Sequence, residues 1–419
     1  MTKWYKLDNA AKVFPSVSNK RRTNVFRLSF VLKENIEPKL LTEALELTLP
    51  RFMPLKVKLK RGLFWYYLEE NKEKLTVFEE NPFICERFKR KENNGYLFKI
   101  SYYKKRITIE VFHSLTDGSG ALELLKAVVY NYLILKGHNI PSDNIILTEI
   151  ESTYEEFQDS FIKNYDKRFR LGSRGPKALQ IKGNLYDRNW LSLIIGTIDV
   201  NNIKEVATKY QTTITQFLCA CLIDTAMKTP QLFEKKKKSF QMFVPVNLRK
   251  IFPSKTLRNF SLIISTGTNL NRQLSFEEIC TIVKNDFELG LQKDRLQAQI
   301  VANVMIEKNI IMRLVPLFIK EIVMKIGYNA WGESTNTMAI SNIGKVDLPE
   351  AMQEYVDEVI FANGASDHSP LNVGVISHGN KMNITFTSKI IERDFQREFF
   401  RLLSSLGISV VIETNELEV

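Results

Sequence analysis

Cysteine is scarce in this chain. There are four in 419 residues, and only Cys219 and Cys221 lie close together, inside the apolar stretch 214–227; Cys85 and Cys280 stand alone. No zinc spacing and no disulfide framework can be drawn from them, so buried thiols in a reducing compartment are expected. Long apolar runs are also missing: none approaches the roughly 18 residues of a membrane span. The N-terminus carries Lys3 and Lys6 but no continuous apolar core before Lys20, Arg21 and Arg22, which does not read as a secretory signal. A cytoplasmic protein is expected. The sequence has no GxGxxG, no Walker lysine and no GxSxG elbow, so the usual nucleotide-binding and serine-hydrolase devices are not on offer.

Acidic residues are outnumbered, 47 Asp and Glu against 59 Lys and Arg, for a formal charge of +12. That excess suits an anionic partner such as nucleic acid, an acidic membrane or a phosphate-bearing cosubstrate. The basic residues are scattered, however. Their densest run, 235–238, precedes an expected strand and reads as a solvated face. No nucleic-acid-binding motif accompanies it, so no nucleic acid is expected as a partner.

With 44% hydrophobic and 11% aromatic residues, the chain has material for two cores, the default at this length. Periodicity predicts strands and helices mixed in both halves: an α/β or α+β protein of two related lobes. The polar stretch 139–188 holds the crossover. The division expected is an N-terminal lobe at 1–165, a linker at 166–188 and a C-terminal lobe at 189–419. Residues 355–361, 371–376 and 382–388 read as a late meander, and helical periodicity dominates 275–325.

The densest chemical signal is His113-Ser114-Leu115-Thr116-Asp117-Gly118. Before it, Ile107, Ile109 and Val111 alternate with Thr108, Glu110 and Phe112, the period of a strand. After it, Gly118 and Gly120 interrupt the pattern. Leu122, Leu125, Val129 and Leu133 then recur at helical spacing, predicting a helix over 121–135. His113 therefore sits at a strand end, where an imidazole can project into a cleft and act as a general base. The alternative is a core histidine bonded to backbone. Asp117 reads either as the carboxylate that orients His113 or as structural support. Gly118, Ser119 and Gly120 could cradle an anion with backbone N–H groups.

The hexapeptide resembles the HxxxDG motif of the chloramphenicol acetyltransferase-like superfamily. Further segments agree in order. Trp4-Tyr5-Lys6-Leu7-Asp8-Asn9-Ala10-Ala11 with Val13-Phe14-Pro15 resembles the opening of bacterial alcohol acetyltransferase-like proteins. Phe243-Val244-Pro245-Val246-Asn247-Leu248-Arg249, with Leu257-Arg258-Asn259-Phe260, is similar to the superfamily's middle motif, and Ser341-Asn342-Ile343-Gly344 to its later strand-end motif. Phe112 stands where condensation domains and wax synthases carry the first histidine of HHxxxDG, and the DFGWG element of plant-type enzymes is absent. Both departures favour the alcohol acetyltransferase-like and polyketide-associated branch.

The resemblance implies two lobes with mixed sheets flanked by helices and a tunnel between them. It implies an acyltransferase in which His113 takes a proton from an alcohol or amine acceptor as that atom attacks an acyl-CoA thioester. No permanently bound cofactor and no metal are implied. Asp117 would point away from His113 and form a structural pair with Arg249. Gly118, Ser341 and Asn342 are the candidate oxyanion or tunnel residues. Transfer from an acyl-pantetheine on an acyl carrier protein is the alternative enzyme, and a catalytically silent binding module the alternative from another class. His368, His138 and His378 read as turn or surface residues. Residues 309–326, apolar and interrupted by Pro316, read as a kinked core helix, with an acyl-chain groove or peripheral membrane contact as the minority readings.

Overall fold

The computed structural model describes the whole chain except residues 1–2, 90, 150, 170–176, 188–189, 235–238 and 417–419. The basic run 235–238 and part of the expected linker therefore lie outside the described residues. Among those described, the strands form three sheets flanked by helices, a mixed α/β architecture without a closed barrel.

The first large sheet has the order Val356–Ala362, Val25–Leu32, Arg106–Phe112, Phe98–Tyr103, Val77–Glu79. Ile107, Ile109 and Val111 are buried, as their alternation predicts, but so are Thr108 and Glu110 on the other face. That face finds its polar partners within the protein. Thr108 shares a hydrogen bond with Ser29 at 2.8 Å, Glu110 accepts from the Cys85 N–H at 2.7 Å, and Arg27 pairs with Glu80 at 2.8 Å. Helices Pro38–Thr48 and Gly118–Leu135 pack together over the apolar side.

The second large sheet has the order Ser261–Thr268, Phe240–Asn247, Met338–Lys345, Leu371–His378, Lys381–Ser388, Ser192–Asp199, Val411–Thr414. Met338–Lys345 runs parallel to both its neighbours. Helices Ile214–Lys228, Phe276–Gly290 and Asp394–Ser405 bury their apolar sides against this layer. A small sheet joins Trp4–Lys6, Tyr66–Glu70 and Val57–Arg61.

Several expectations are corrected. Leu371–His378 and Lys381–Ser388 do form a hairpin, but Val356–Ala362 is not part of a meander with them. It leaves to pair antiparallel with Val25–Leu32, so the first sheet takes an edge strand from the second half of the chain. The helix expected over 121–135 begins at Gly118, because Asp117 caps it by accepting from the Gly120 N–H. His378 is buried at 6% exposure rather than placed on a surface loop. Residues 309–326 are not a core helix. Pro316 separates Ile310–Leu314 from Leu317–Trp331, and much of their apolar surface faces outward. All four cysteines are free and buried. Among the described residues, no helix is long and apolar enough to cross a membrane.

Candidate active site

His113 is the first residue beyond the strand Arg106–Phe112, and its N–H donates to the Asn24 carbonyl at 2.9 Å. The half-buried imidazole stacks on Phe14, with centroids 4.7 Å apart, and meets the edge of Phe26 at 5.1 Å. Aromatic contacts on two sides hold the ring plane.

The hydrogen bond that orients the ring comes from the other half of the chain. His113 Nδ1 lies 3.0 Å from Asn259 Oδ1, and Asn259 Nδ2 donates to Asp8 Oδ2 at 3.2 Å. While Asp8 is ionised, a flipped Asn259 amide would set its oxygen against that carboxylate, so in this state the nitrogen faces Asp8 and the oxygen faces the imidazole. Nδ1 then carries the proton, and Nε2 is left with a free lone pair. Asp8 itself is held by the Ala11 N–H at 2.7 Å. Burial and the neighbouring Asp159 push the Asp8 carboxyl up to about 7, against the pull of Arg258. Asp8 also lines a cavity of about 480 Å³ with Tyr5, Asp159, Arg258 and Glu307.

Burial lowers the His113 pKa, and this outweighs the opposing charge of Asp117 and the bond to Asn259. The imidazole is therefore neutral at cellular pH, the state a general base requires.

Asp117 makes no hydrogen bond to His113. Its carboxylate accepts from Arg249 Nη1 at 2.8 Å and Nη2 at 3.1 Å, from the Phe260 N–H at 2.9 Å and from the Gly120 N–H at 3.2 Å. Burial alone would raise the Asp117 carboxyl, but the Arg249 guanidinium and the two backbone donors hold it below the ordinary range. Arg249 is equally well satisfied: Nε donates to the Thr256 carbonyl, Nη1 also to Asn247 Oδ1, and Nη2 also to the Arg258 carbonyl. Five donors thus meet five acceptors. Thr116 Oγ1 adds a bond to the Leu257 carbonyl at 2.5 Å and Asn247 Nδ2 one to Ser119 Oγ at 2.9 Å. The HxxxDG segment is thereby clamped to the loop that carries Asn259.

The remaining candidates separate. Gly118 opens its helix, so its N–H is among those with no intrahelical carbonyl to meet. An added Cβ there would touch Ile343 Cδ1 at 3.0 Å, which places Gly118 beside Met338–Lys345, the strand of Ser341 and Asn342. Asn342 is engaged on both sides of its amide, donating to Thr215 Oγ1 at 2.9 Å and accepting from the Gly344 N–H at 2.8 Å. The Ser341 hydroxyl has no hydrogen-bond partner among the described residues, and the side chain is half-buried. His368 and His138 lie in loops away from these groups. Among the described residues, no three His, Cys, Asp or Glu side chains gather as they would to hold a metal ion.

Asn259 and Asp8 lie in segments that sequence reading singles out, but without a role for either. The only available signal is an amide directly before Phe260 and an acid before two alanines. Neither shows that the two meet across 251 positions.

No curated protein sequence matches the chain. Solved structures share its fold over nearly its full length at low identity. The epimerization domain from the third module of tyrocidine synthetase B is 8% identical with TM-score 0.63, over 97% of this chain and 96% of that one. The trichothecene 15-O-acetyltransferase of Fusarium sporotrichioides is 12% identical with TM-score 0.60, over 96% and 94%. The wax ester synthase/diacylglycerol acyltransferase of Marinobacter aquaeolei is 12% identical with TM-score 0.56, over 96% and 100%. A family model described as alcohol acetyltransferase matches residues 178–406, a span that holds Arg249, Asn259, Ser341 and Asn342 and leaves out His113 and Asp117. That span is more than half of the chain, which therefore belongs to the alcohol acetyltransferase family and is an acyltransferase.

Proposed function

We propose that the protein transfers an acyl group from a CoA thioester to an alcohol or amine, with His113 as general base. The observation that carries this reading is the bond from His113 to Asn259, which leaves Nε2 unprotonated in a ring held neutral by burial. Nε2 takes the acceptor's proton as its oxygen or nitrogen attacks the thioester carbonyl. The tetrahedral oxyanion then collapses, the C–S bond breaks, and the imidazolium returns the proton to the leaving sulfur. The products are an ester or amide and the free thiol. A thiol of pKa about 8.5 is a competent leaving group, and the base contributes roughly 10²- to 10⁴-fold. The Gly118 N–H and the unpartnered Ser341 hydroxyl are the donors we assign to the oxyanion. Asp117 and Arg249 support the site without touching reactants.

The test is release of free thiol from several acyl-CoAs with a panel of alcohols and amines. The same acyl groups on a purified carrier protein run in parallel. Turnover with free acyl-CoA is the expected result. Turnover only with the carrier-bound donor would replace the CoA reading. Inertness with both would leave the site without the proposed chemistry.

A further inference from the structure

The helices Lys293–Lys308, Ile310–Leu314 and Leu317–Trp331 leave an apolar face uncovered. Ile310 is 73% exposed, Leu314 69%, Phe318 58%, Ile322 57% and Ile326 63%. Positions 318, 322 and 326 are four residues apart and line one side of their helix. The turn between Val57–Arg61 and Tyr66–Glu70 adds Leu63, 72% exposed.

These pieces form one fixed surface. The Leu317 N–H donates to the Leu63 carbonyl at 2.8 Å. Lys320, only 1% exposed, donates to the Phe64 carbonyl at 2.9 Å and the Arg313 carbonyl at 3.4 Å. Its ammonium also lies 3.6 Å from the centroid of the Trp65 ring. A lysine buried to join three segments keeps the outer face in register. Large exposed apolar patches of this kind mark interaction surfaces.

Within 305–326 the charge outside ion pairs has one sign: Lys308, Arg313 and Lys325 are exposed and none is in an ion pair among the described residues, with Lys308 Nζ 3.8 Å from the Tyr165 ring centroid and Arg313 Nε donating to the Glu307 carbonyl. Both acids of the segment are already engaged: Glu307 with Lys12 at 2.5 Å and Glu321 with Arg61 at 3.0 Å. We propose that this face docks the protein on an anionic lipid surface, its apolar side chains entering the headgroup boundary and its cations meeting lipid phosphates. Side chains this exposed protrude instead of lining a pocket. A fluid interface closes around them, whereas a folded partner would need a matching cavity. A second copy set face to face would oppose cation to cation.

The placement also bears on the reaction. Leu317–Trp331 packs against Phe14–Val17, and Phe14 stacks on His113. An acyl substrate dissolved in a bilayer would therefore meet the protein on the side that walls the catalytic imidazole.

The test is co-sedimentation of the full chain with vesicles, either phosphatidylcholine alone or phosphatidylcholine with phosphatidylglycerol. Phe318→Ser/Ile322→Ser is compared with wild type, and thermal melts and turnover of a short soluble acyl-CoA confirm that it folds and works. Binding to the anionic vesicles is expected, weakened at least about tenfold by the double variant and also by about 0.5 M salt. Three results would overturn the proposal. Wild type fails to bind the anionic vesicles, the double variant binds as well as wild type, or sedimentation velocity shows a wild-type dimer that the substitutions dissociate. Capture of purified acyl carrier protein by this face, without vesicle binding, would assign it to the carrier. Vesicle binding requires no turnover, so failure here is distinct from failure of the acyl transfer reading.

Discussion

At the scale of single residues, the proposed reaction comes down to the state of one imidazole. His113→Ala should abolish thiol release while leaving the thermal melt near wild type, since the ring is half-buried and stacked rather than central to a core. Near wild-type turnover by a folded His113→Ala protein would remove the general base. A base must be unprotonated, so kcat/KM should fall as pH drops below the His113 pKa, which lies under the ordinary histidine value. Asn259 tunes that limb. Its acceptor oxygen raises the pKa, so Asn259→Leu should move the acid limb to lower pH. It should also cut kcat by roughly 10- to 100-fold with little change in KM. An unmoved pH profile would reduce Asn259 to a packing residue.

At the scale of elements, the helix Gly118–Leu135 and the loop before Ser261–Thr268 are pressed together at Gly120. A Cβ there would lie 2.2 Å from Thr116 Oγ1 and 2.3 Å from the Leu257 carbonyl oxygen. That carbonyl is backbone and cannot swing aside. Gly120→Ala should therefore cost about 1–3 kcal/mol and lower kcat, because the loop it displaces carries Asn259. Gly118→Ala is the contrast, since its Cβ meets only the end of the Ile343 side chain. Paired thermal melts with a larger loss for Gly118→Ala would contradict this account. Sequence periodicity locates the helix but starts it three residues late, because two glycines weaken the pattern and a capping bond to Asp117 leaves no periodic trace.

At the scale of the whole molecule, the site is a joint between the two halves of the chain. Asp117 and Arg249 form its buried ion pair, at 7% and 15% side-chain exposure. Removing either partner should cost roughly 3–5 kcal/mol, as an uncompensated buried charge remains. In a double-mutant cycle the double loss should fall short of the sum by about 1–3 kcal/mol, and simple additivity would mean the contact carries no coupling. The Asp117 carboxyl is depressed in the folded state. Its contribution is thus complete above the unfolded carboxyl value and is lost as pH falls through the folded one. Asp117→Asn should flatten the acid side of the stability profile.

The sequence by itself determined the local alternatives. A period of two placed Arg106–Phe112, a strand-to-helix break put His113 at its end, and the resemblance to the HxxxDG superfamily pointed to Arg249 as the partner of Asp117. Periodicity records which side of an element is apolar, not what will cover it. The strand Val356–Ala362 therefore reads the same whether it joins the hairpin beside it or crosses to Val25–Leu32. The helix Leu317–Trp331 likewise reads the same with its apolar side in a core or facing outward. The orientation of the His113 ring depended on Asn259 and Asp8, brought together across the chain. Only tertiary structure could decide these points, because each turns on contacts between distant segments that no local pattern encodes.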